Sequence, residues 1–305
     1  MEDTPATSGT AIADATGKRL IVTADDFGMA VPVNEAIETG HRDGLLSAAS
    51  LMVAGTAFED ALARARGLPS LGVGLHVVLV DGKPLLPPER IPDLVGADGR
   101  FSKDVVGAGI RLFCRKSVQI QAEAEIRAQF EAFRRTGLTL DHVNGHHHFH
   151  MHPTVLRIIL DCAAEFGVKA IRVPQEPFLP SWRAVGSDPW ARFSTRLFHW
   201  RRTEAMKRRL RQAGIGFNDH IFGLTDSGHM RAEKLRGFLA HLPTGVSEIY
   251  FHPMTRRWQD EDSYPMEYEG EAEFAALTDA PSLALLARMG LKPQNFAALQ
   301  EKPHG

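Results

Sequence analysis

From Lys18 onward, short apolar runs alternate with stretches of helical period. "RLIVTADDFG" is a β-rich run ending in two carboxylates and a Phe-Gly turn. It reads as a buried parallel strand with acidic residues at its C-terminal end. A helix follows from about Pro32 to His41. "LLSAASLMVA" predicts a second strand, "AFEDALARARGLP" a second helix and "LGVGLHVVLV" a third strand carrying His76. The Pro- and Gly-rich "DGKPLLPPERIPDLVGADGR" predicts a long functional loop. Residues 117–136 predict a helix with Val118, Ile120, Ile126, Phe130 and Phe133 on its apolar faces. "LTLDHVNGHHH" reads as a strand. "PTVLRIILDCAAEFG" reads as an amphipathic helix, with Pro153 in the first turn where proline is favoured. "KAIRVP" predicts a further strand, "RAEKLRGFLAHLP" a late helix and "VSEIYFHP" a late strand.

Alternating strands and helices argue for a parallel α/β fold. An open doubly wound sheet and a barrel both place chemistry at the C-terminal ends of their strands. Here Asp25 and Asp26 end one strand, His76 lies late in another, a histidine run follows a third and His252 ends a fourth. A (β/α) barrel-like, TIM-barrel-related closure brings these four ends together most naturally. No fixed-period repeat and no long linker divides the chain. Residues 18–300 therefore read as a single catalytic domain, and residues 1–17, small, polar and acidic, as a disordered leader.

Composition changes this picture little. The chain has 305 residues, 44% hydrophobic and 24% charged, enough for a large core. A net charge of −2 gives no global case for nucleic acid as a partner. Two cysteines, Cys114 and Cys162, are no disulfide framework. The leader lacks the basic start and apolar run of a signal peptide, and no apolar stretch approaches the ~20 residues of a membrane span. A cytoplasmic protein is expected.

"VNGHHHFHMHP" spans Val143 to Pro153 and holds His146, His147, His148, His150 and His152. If extended, it would place four of these on one side and His147 on the other. Gly145 and Pro153 argue for a loop instead. Either way one ion would take only one or two of them. The others would orient a ligand through a ring N–H or touch substrate. Asp25 and Asp26, adjacent on a strand, would point to opposite sides. At a strand end one could hold a cation while the other takes a proton, though Asp is equally common in turns. His76 among apolar neighbours reads by itself as a hydrogen-bonded core histidine. Taken jointly, one Asp and two His make a common ligand set for a catalytic divalent ion, which lowers the pKa of water toward ~7. His252 in "EIYFHPMT" could protonate a leaving group.

"VTADDFGMAVPVNEAI", "SLMVAG", "GVGLHVVLVDGKPL", "DHVNGHHHFHMHP" and "EIYFHP" together resemble the YdjC-like carbohydrate deacetylases, over roughly Arg19 to Pro253. The resemblance implies a barrel-like fold and metal-dependent hydrolysis of an N-acetyl group from an amino sugar. By matching motifs it implies Asp26, His76 and His146 as ligands of one divalent ion, zinc or magnesium. Asp25 would be the general base and His252 the acid. His147, His148, Asn144 and Arg172 are candidates for touching substrate or supporting ligands. Asn144 stands where family members often carry Asp, and Met254 follows the His-Pro pair where many have Gly. The late "HPMTRRWQDEDSYPMEYEGEAEF" and the "NGHHHFHMHP" variant look most like the hopanoid-biosynthesis branch. Its substrate is a sugar-headed lipid, an N-acetylglucosaminyl hopanoid. Free chito-oligosaccharides, or sugar or metal binding without catalysis, are the alternatives.

Residues 178–217 bear on a lipid independently. They hold nine Lys or Arg against two acidic residues, and three of the chain's four tryptophans. Basic residues interleaved with Trp and Phe suit an anionic membrane interface. They also suit single-stranded nucleic acid, or a helix packing its aromatics inward. The expectation is a partly helical insertion beside the site, giving peripheral contact with the inner membrane.

Overall fold

A computed structural model describes residues 17–258 and 264–301. The expected leader lies, apart from Gly17, outside the described residues. In chain order the elements are β1 (Lys18–Phe27), α1 (Val31–Arg42), β2 (Ala48–Leu51), α2 (Phe58–Arg66), β3 (Gly72–Val77), α3 (Val105–Cys114), α4 (Lys116–Arg135), β4 (Val143–Gly145), α5 (Pro153–Phe166), α6 (Phe178–Val185), α7 (Pro189–Gln212), β5 (His220–Phe222), α8 (Ala232–Ala240), β6 (Gly245–Phe251), α9 (Gly270–Leu277) and α10 (Ala280–Met289).

The six strands form one parallel sheet in the order β4-β3-β2-β1-β6-β5. Residues 169–175 join its two edges. Val143 N–H donates to the Ala170 carbonyl at 2.9 Å, and Arg172 N–H to Val143 at 3.1 Å. On the other side Ile171 N–H reaches Gly216 at 3.0 Å, and Ile221 N–H reaches Gln175 at 3.1 Å. The sheet thus curls into the barrel-like α/β form expected. The predicted strand "KAIRVP" is corrected to isolated bridges at Ala170 and Ile171. Its ladder stops where the Asn218 side chain replaces a backbone partner, bonding Val173 N–H at 2.7 Å and Val173 carbonyl at 2.9 Å. Pro174 then offers no N–H.

Strand parity sorts the side chains into two cores. Leu20, Val22, Leu51, Val73, Leu75, Val143, Ile249 and Phe251 belong to the outer layer under the helices. Ile21, Ala48, Ala170 and Val246 form a separate apolar plug, closed by Phe296 and Leu299. One step further along the same parity come Thr23, Ser50, Arg172 and Glu248, all fully buried and polar. The barrel interior is therefore oily at one end and ionisable at the other.

Helix α4 buries Val118, Ala122, Ile126, Phe130 and Phe133. Each large side chain is worth about 1.5–3 kcal/mol. Ile120, expected on an apolar face, is instead 58% exposed. Glu125 and Gln129 of α4 hold the long loop after β3. Glu125 accepts from Leu85 and Leu86 N–H at 2.9 Å each, and Gln129 bonds both Val78 N–H and its carbonyl. Helix α5 starts at Pro153 with His152 accepting Thr154 N–H at 3.2 Å, and ends at Gly167 in the left-handed region. Residues 178–217 fold as α6 and α7. Arg192 anchors them from a buried position, donating to Asp226 at 3.0 Å and Ser181 at 2.6 Å. Among the described residues no helix is long and apolar enough to cross a membrane.

Candidate active site

Asp25 and Asp26 face the same end of the barrel because β1 is irregular there. Its pairing with β2 steps from Ala24↔Ala49 to Phe27↔Leu51, one residue more on β1 than on β2. Asp26 takes up the difference with φ of 64°, a conformation Asp tolerates better than most residues. The bulge cancels the alternation that would send adjacent side chains apart.

The histidine run is not extended, so the four-on-one-side arrangement does not occur. After β4 the chain coils into a tight turn, with His147 and His148 both left-handed at φ of 51° and 53°. Each ring goes to a different task. His146 faces Asp26 and His76. His147 is turned out to Asp81, at 3.3 Å. His148 meets the Tyr250 hydroxyl at 3.2 Å. His150 donates to the Arg172 carbonyl at 3.0 Å, and His152 caps α5.

His76 Nε2, His146 Nδ1 and Asp26 Oδ1 converge. Their separations are 3.3 Å from His76 to Asp26, 3.2 Å from His146 to Asp26 and 3.4 Å between the two rings. For metal–ligand bonds of ~2.1 Å, the ligand–ligand edge is ~3.4 Å in a tetrahedron and ~3.0 Å between octahedral neighbours. The triangle fits either. Asp26 Oδ1 is buried without a hydrogen-bond partner, and all three residues are buried. Burial alone would lower the His76 pKa, yet Asp25 and Asp26 outweigh it and raise it. The field at this point favours positive charge, and the donor set suits a divalent cation. Asp81, His146 and His147 form a second, more exposed cluster beside it.

Asp25 stands next to the triangle in a buried ionic network. Arg172 donates to its two oxygens at 2.5 and 3.0 Å, and Arg172 also bonds Glu248 at 2.7 and 2.9 Å. Asn144 donates to Asp25 at 3.1 Å, and its Oδ1 lies 2.7 Å from His76 Nδ1. Burial pushes the Asp25 carboxyl up, but the charges of Arg172 and His76 hold it well below the ordinary range. It stays ionised, and the same charges weaken it as a base.

His252 lines the same cleft as Asp25, Asp26, His76, His146 and His148, with Tyr250, Tyr268, Ser227 and Leu224. Burial lowers its pKa against the pull of Asp26 and Asp25. Its backbone N–H donates to Glu273, whose carboxyl burial pushes up to about 7. The cleft is about 180 Å³, below the ~300–1,000 Å³ of a pocket enclosing a whole small ligand. A cleft of that size has room for one end of a small ligand and not for the whole of it.

Sequence reasoning missed Glu248 and Tyr250. Arg172 lies over the Tyr250 ring at 5.0 Å. Both residues lie on β6 at the parity of His252, which directly follows the strand, so period-two reading back from that histidine finds them. Asp81 and Ser50 carried no such signal.

Residues 19–288 match the family described as YdjC-like protein. A carbohydrate deacetylase of Brevibacillus brevis is 40% identical over 156 residues, covering 51% of this chain and 59% of that protein. The human carbohydrate deacetylase is 32% identical over 265 residues, covering 81% of this chain and 75% of the human protein. A proposed cellobiose-phosphate cleavage protein from Enterococcus faecalis superposes with a TM-score of 0.71 at 22% identity, covering 93% of this chain and 99% of that one, which is a likeness of fold. The matched span runs from β1 to α10 and takes in every strand that lends a side chain to the cleft; the chain belongs to the YdjC-like family.

Proposed function

We propose that this chain is a metal-dependent carbohydrate deacetylase that hydrolyses the N-acetyl group of an amino sugar. The observation carrying the proposal is the Asp26–His76–His146 triangle with an ionised Asp25 beside it. Relatives named carbohydrate deacetylase support it. Residues 18–300 act as a single catalytic domain. Asp26, His76 and His146 would hold one divalent ion, zinc or magnesium. When bound, that ion supplies Lewis-acid polarisation of the acyl oxygen and a lowered pKa for water. Asp25 accepts the proton of the attacking water, with Arg172 fixing its orientation and keeping it ionised. His252, across the cleft, delivers a proton to the amine as the C–N bond breaks and acetate leaves. His148 and Tyr250 line the path of the sugar, and His147 stands at its rim.

The substrate class we favour is a sugar on a lipid, of the N-acetylglucosaminyl hopanoid kind. The motif resemblance supports it, and so does the surface beside the cleft. Val106, Ile110 and Phe113 of α3 are 72, 60 and 66% exposed. On α7, Trp190, Leu197, Phe198 and Trp200 are 82, 62, 64 and 47% exposed. Phe113 packs edge-on to His152 at 6.3 Å, and α7 contacts the same histidine turn. Arg196, Arg201 and Arg202 lie among these apolar side chains. Each basic residue near an anionic bilayer contributes on the order of 1 kcal/mol.

The test is acetate release from an N-acetylglucosaminyl lipid and from free chito-oligosaccharides, after loading with zinc or magnesium. No acetate from either substrate defeats the deacetylase reading and leaves a binding protein. Release from the free sugar alone defeats only the lipid substrate. Co-sedimentation with anionic vesicles at low salt, lost when Trp182, Trp190 and Trp200 become alanine, tests the membrane contact.

A further inference from the structure

Behind the triangle, hydrogen bonds run in one line through the barrel. Asp141, just before β4, accepts N–H from Phe296 at 3.2 Å and Ala297 at 2.8 Å. His142 Nδ1 lies 2.9 Å from the Asp141 carboxylate. His142 Nε2 lies 3.0 Å from Ser50 Oγ. Asn144 Nδ2 donates to Ser50 Oγ at 2.8 Å and to Asp25 at 3.1 Å, and Asn144 Oδ1 faces His76 Nδ1 at 2.7 Å. Ser50, His142 and Asn144 have no exposed surface.

We infer that Asp141, His142 and Ser50 are positioning residues that fix the Asn144 amide and, through it, the tautomer of His76. The direction follows from donors and acceptors alone. A carboxylate already accepting two backbone N–H groups only accepts, so His142 carries its proton on Nδ1. In the neutral imidazole Nε2 is then a lone pair, and the Ser50 hydroxyl donates to it. Ser50 Oγ is left to accept, which turns the NH2 of Asn144 toward it. The amide oxygen must then face His76, and His76 holds its proton on Nδ1. In the neutral imidazole His76 Nε2, the atom turned to Asp26 and His146, is left as a lone pair. Flipping Asn144 would set its oxygen 3.1 Å from the Asp25 carboxylate, two acceptors with no proton between them.

The trio has the spacing of a Ser-His-Asp nucleophile, but no substrate reaches a fully buried Ser50. Glycine makes room for the relay. A Cβ at Gly74 would lie 2.5 Å from the His142 ring, and one at Gly72 would lie 2.6 Å from the Asp141 carboxylate. Neighbours that orient a metal-bound histidine commonly change metal affinity ~10–100-fold.

This inference rests on the triangle being a metal site, and the test separates the two. In 15N-histidine-labelled wild-type protein, long-range 1H–15N spectra should show a proton on His142 Nδ1 and none on Nε2. A proton on Nε2 overturns the relay whatever the metal does. Chelator competition should give Ser50→Ala a zinc affinity about tenfold weaker than wild type, at the lower end of that range. A purely structural role would lower the melting temperature and leave zinc affinity unchanged, and that result also overturns the inference. Asp141→Asn should move the His142 proton to Nε2, because the amide can donate to Nδ1. Failure of wild type itself to bind zinc, manganese or magnesium rejects the metal reading, while the His142 spectrum still decides the relay.

Discussion

Replacing Arg172 with methionine should destabilise the chain more than any exposed substitution. Its side chain has no exposed surface and makes four hydrogen bonds to Asp25 and Glu248, at 2.5 to 3.0 Å. Methionine fills much of the volume but leaves two carboxyl groups buried with their cation gone. Removing one partner of a buried ion pair costs about 3–5 kcal/mol. With an unfolding entropy of ~2.1 cal/mol/K per residue, a chain of this size loses about 5–8 °C in melting temperature. Urea unfolding of chelator-treated protein should show a lower midpoint at unchanged slope. The sign of the pH dependence is a second check. In wild type the Asp25 carboxyl lies below its unfolded value, so its stabilisation is present above that value, ~3.9, and lost as pH falls below it. Without Arg172, burial raises the same carboxyl, and the penalty should shrink as pH falls from 7 toward 4. Arg172→Lys should recover only part, since one ammonium cannot hold both oxygens of Asp25. A loss under about 1 kcal/mol, or one independent of pH, would refute the pairing of a buried Asp25 with Arg172.

Asp25→Asn should keep metal and lose ~10²–10⁴ in turnover, because an amide cannot take the proton; turnover at the wild-type rate rejects Asp25 as the base. Asp26→Asn should weaken metal binding, measured by chelator competition, and excess metal should restore part of the activity. A disulfide exchange reagent at pH 7.5 should titrate one thiol of the native protein, exposed Cys114, and two after unfolding. Burial pushes the Cys162 thiol up to about 11, leaving almost no thiolate to react; rapid reaction of both thiols in the native state contradicts that burial.

Most of the strands and helices were legible because their signal is local. The run "RLIVTADDFG" is apolar on both faces and ends in carboxylates, so it announces a central strand and its reactive end. Pro153 and Gly167 mark the ends of α5. Helix α3 was not legible. Its apolar residues Val106, Ile110 and Phe113 face solvent, so the side they mark is not the side that packs.

By itself, the sequence determined the alternation of strands and helices, the residues at the strand ends and the resemblance that groups Asp26, His76 and His146. Each of these depends on spacing along the chain. Only the tertiary structure decided that Asp25 and Asp26 share a face, because that needs the extra β1 residue opposite β2 and the left-handed Asp26. It alone decided that the five histidines have five different partners, since two left-handed residues break any regular period. It alone joined Asp25 to Arg172 and His76 to Ser50 through Asn144. Those contacts form only when the sheet curls and its edges meet, and nothing in a local pattern records which residues closure will bring within hydrogen-bonding distance.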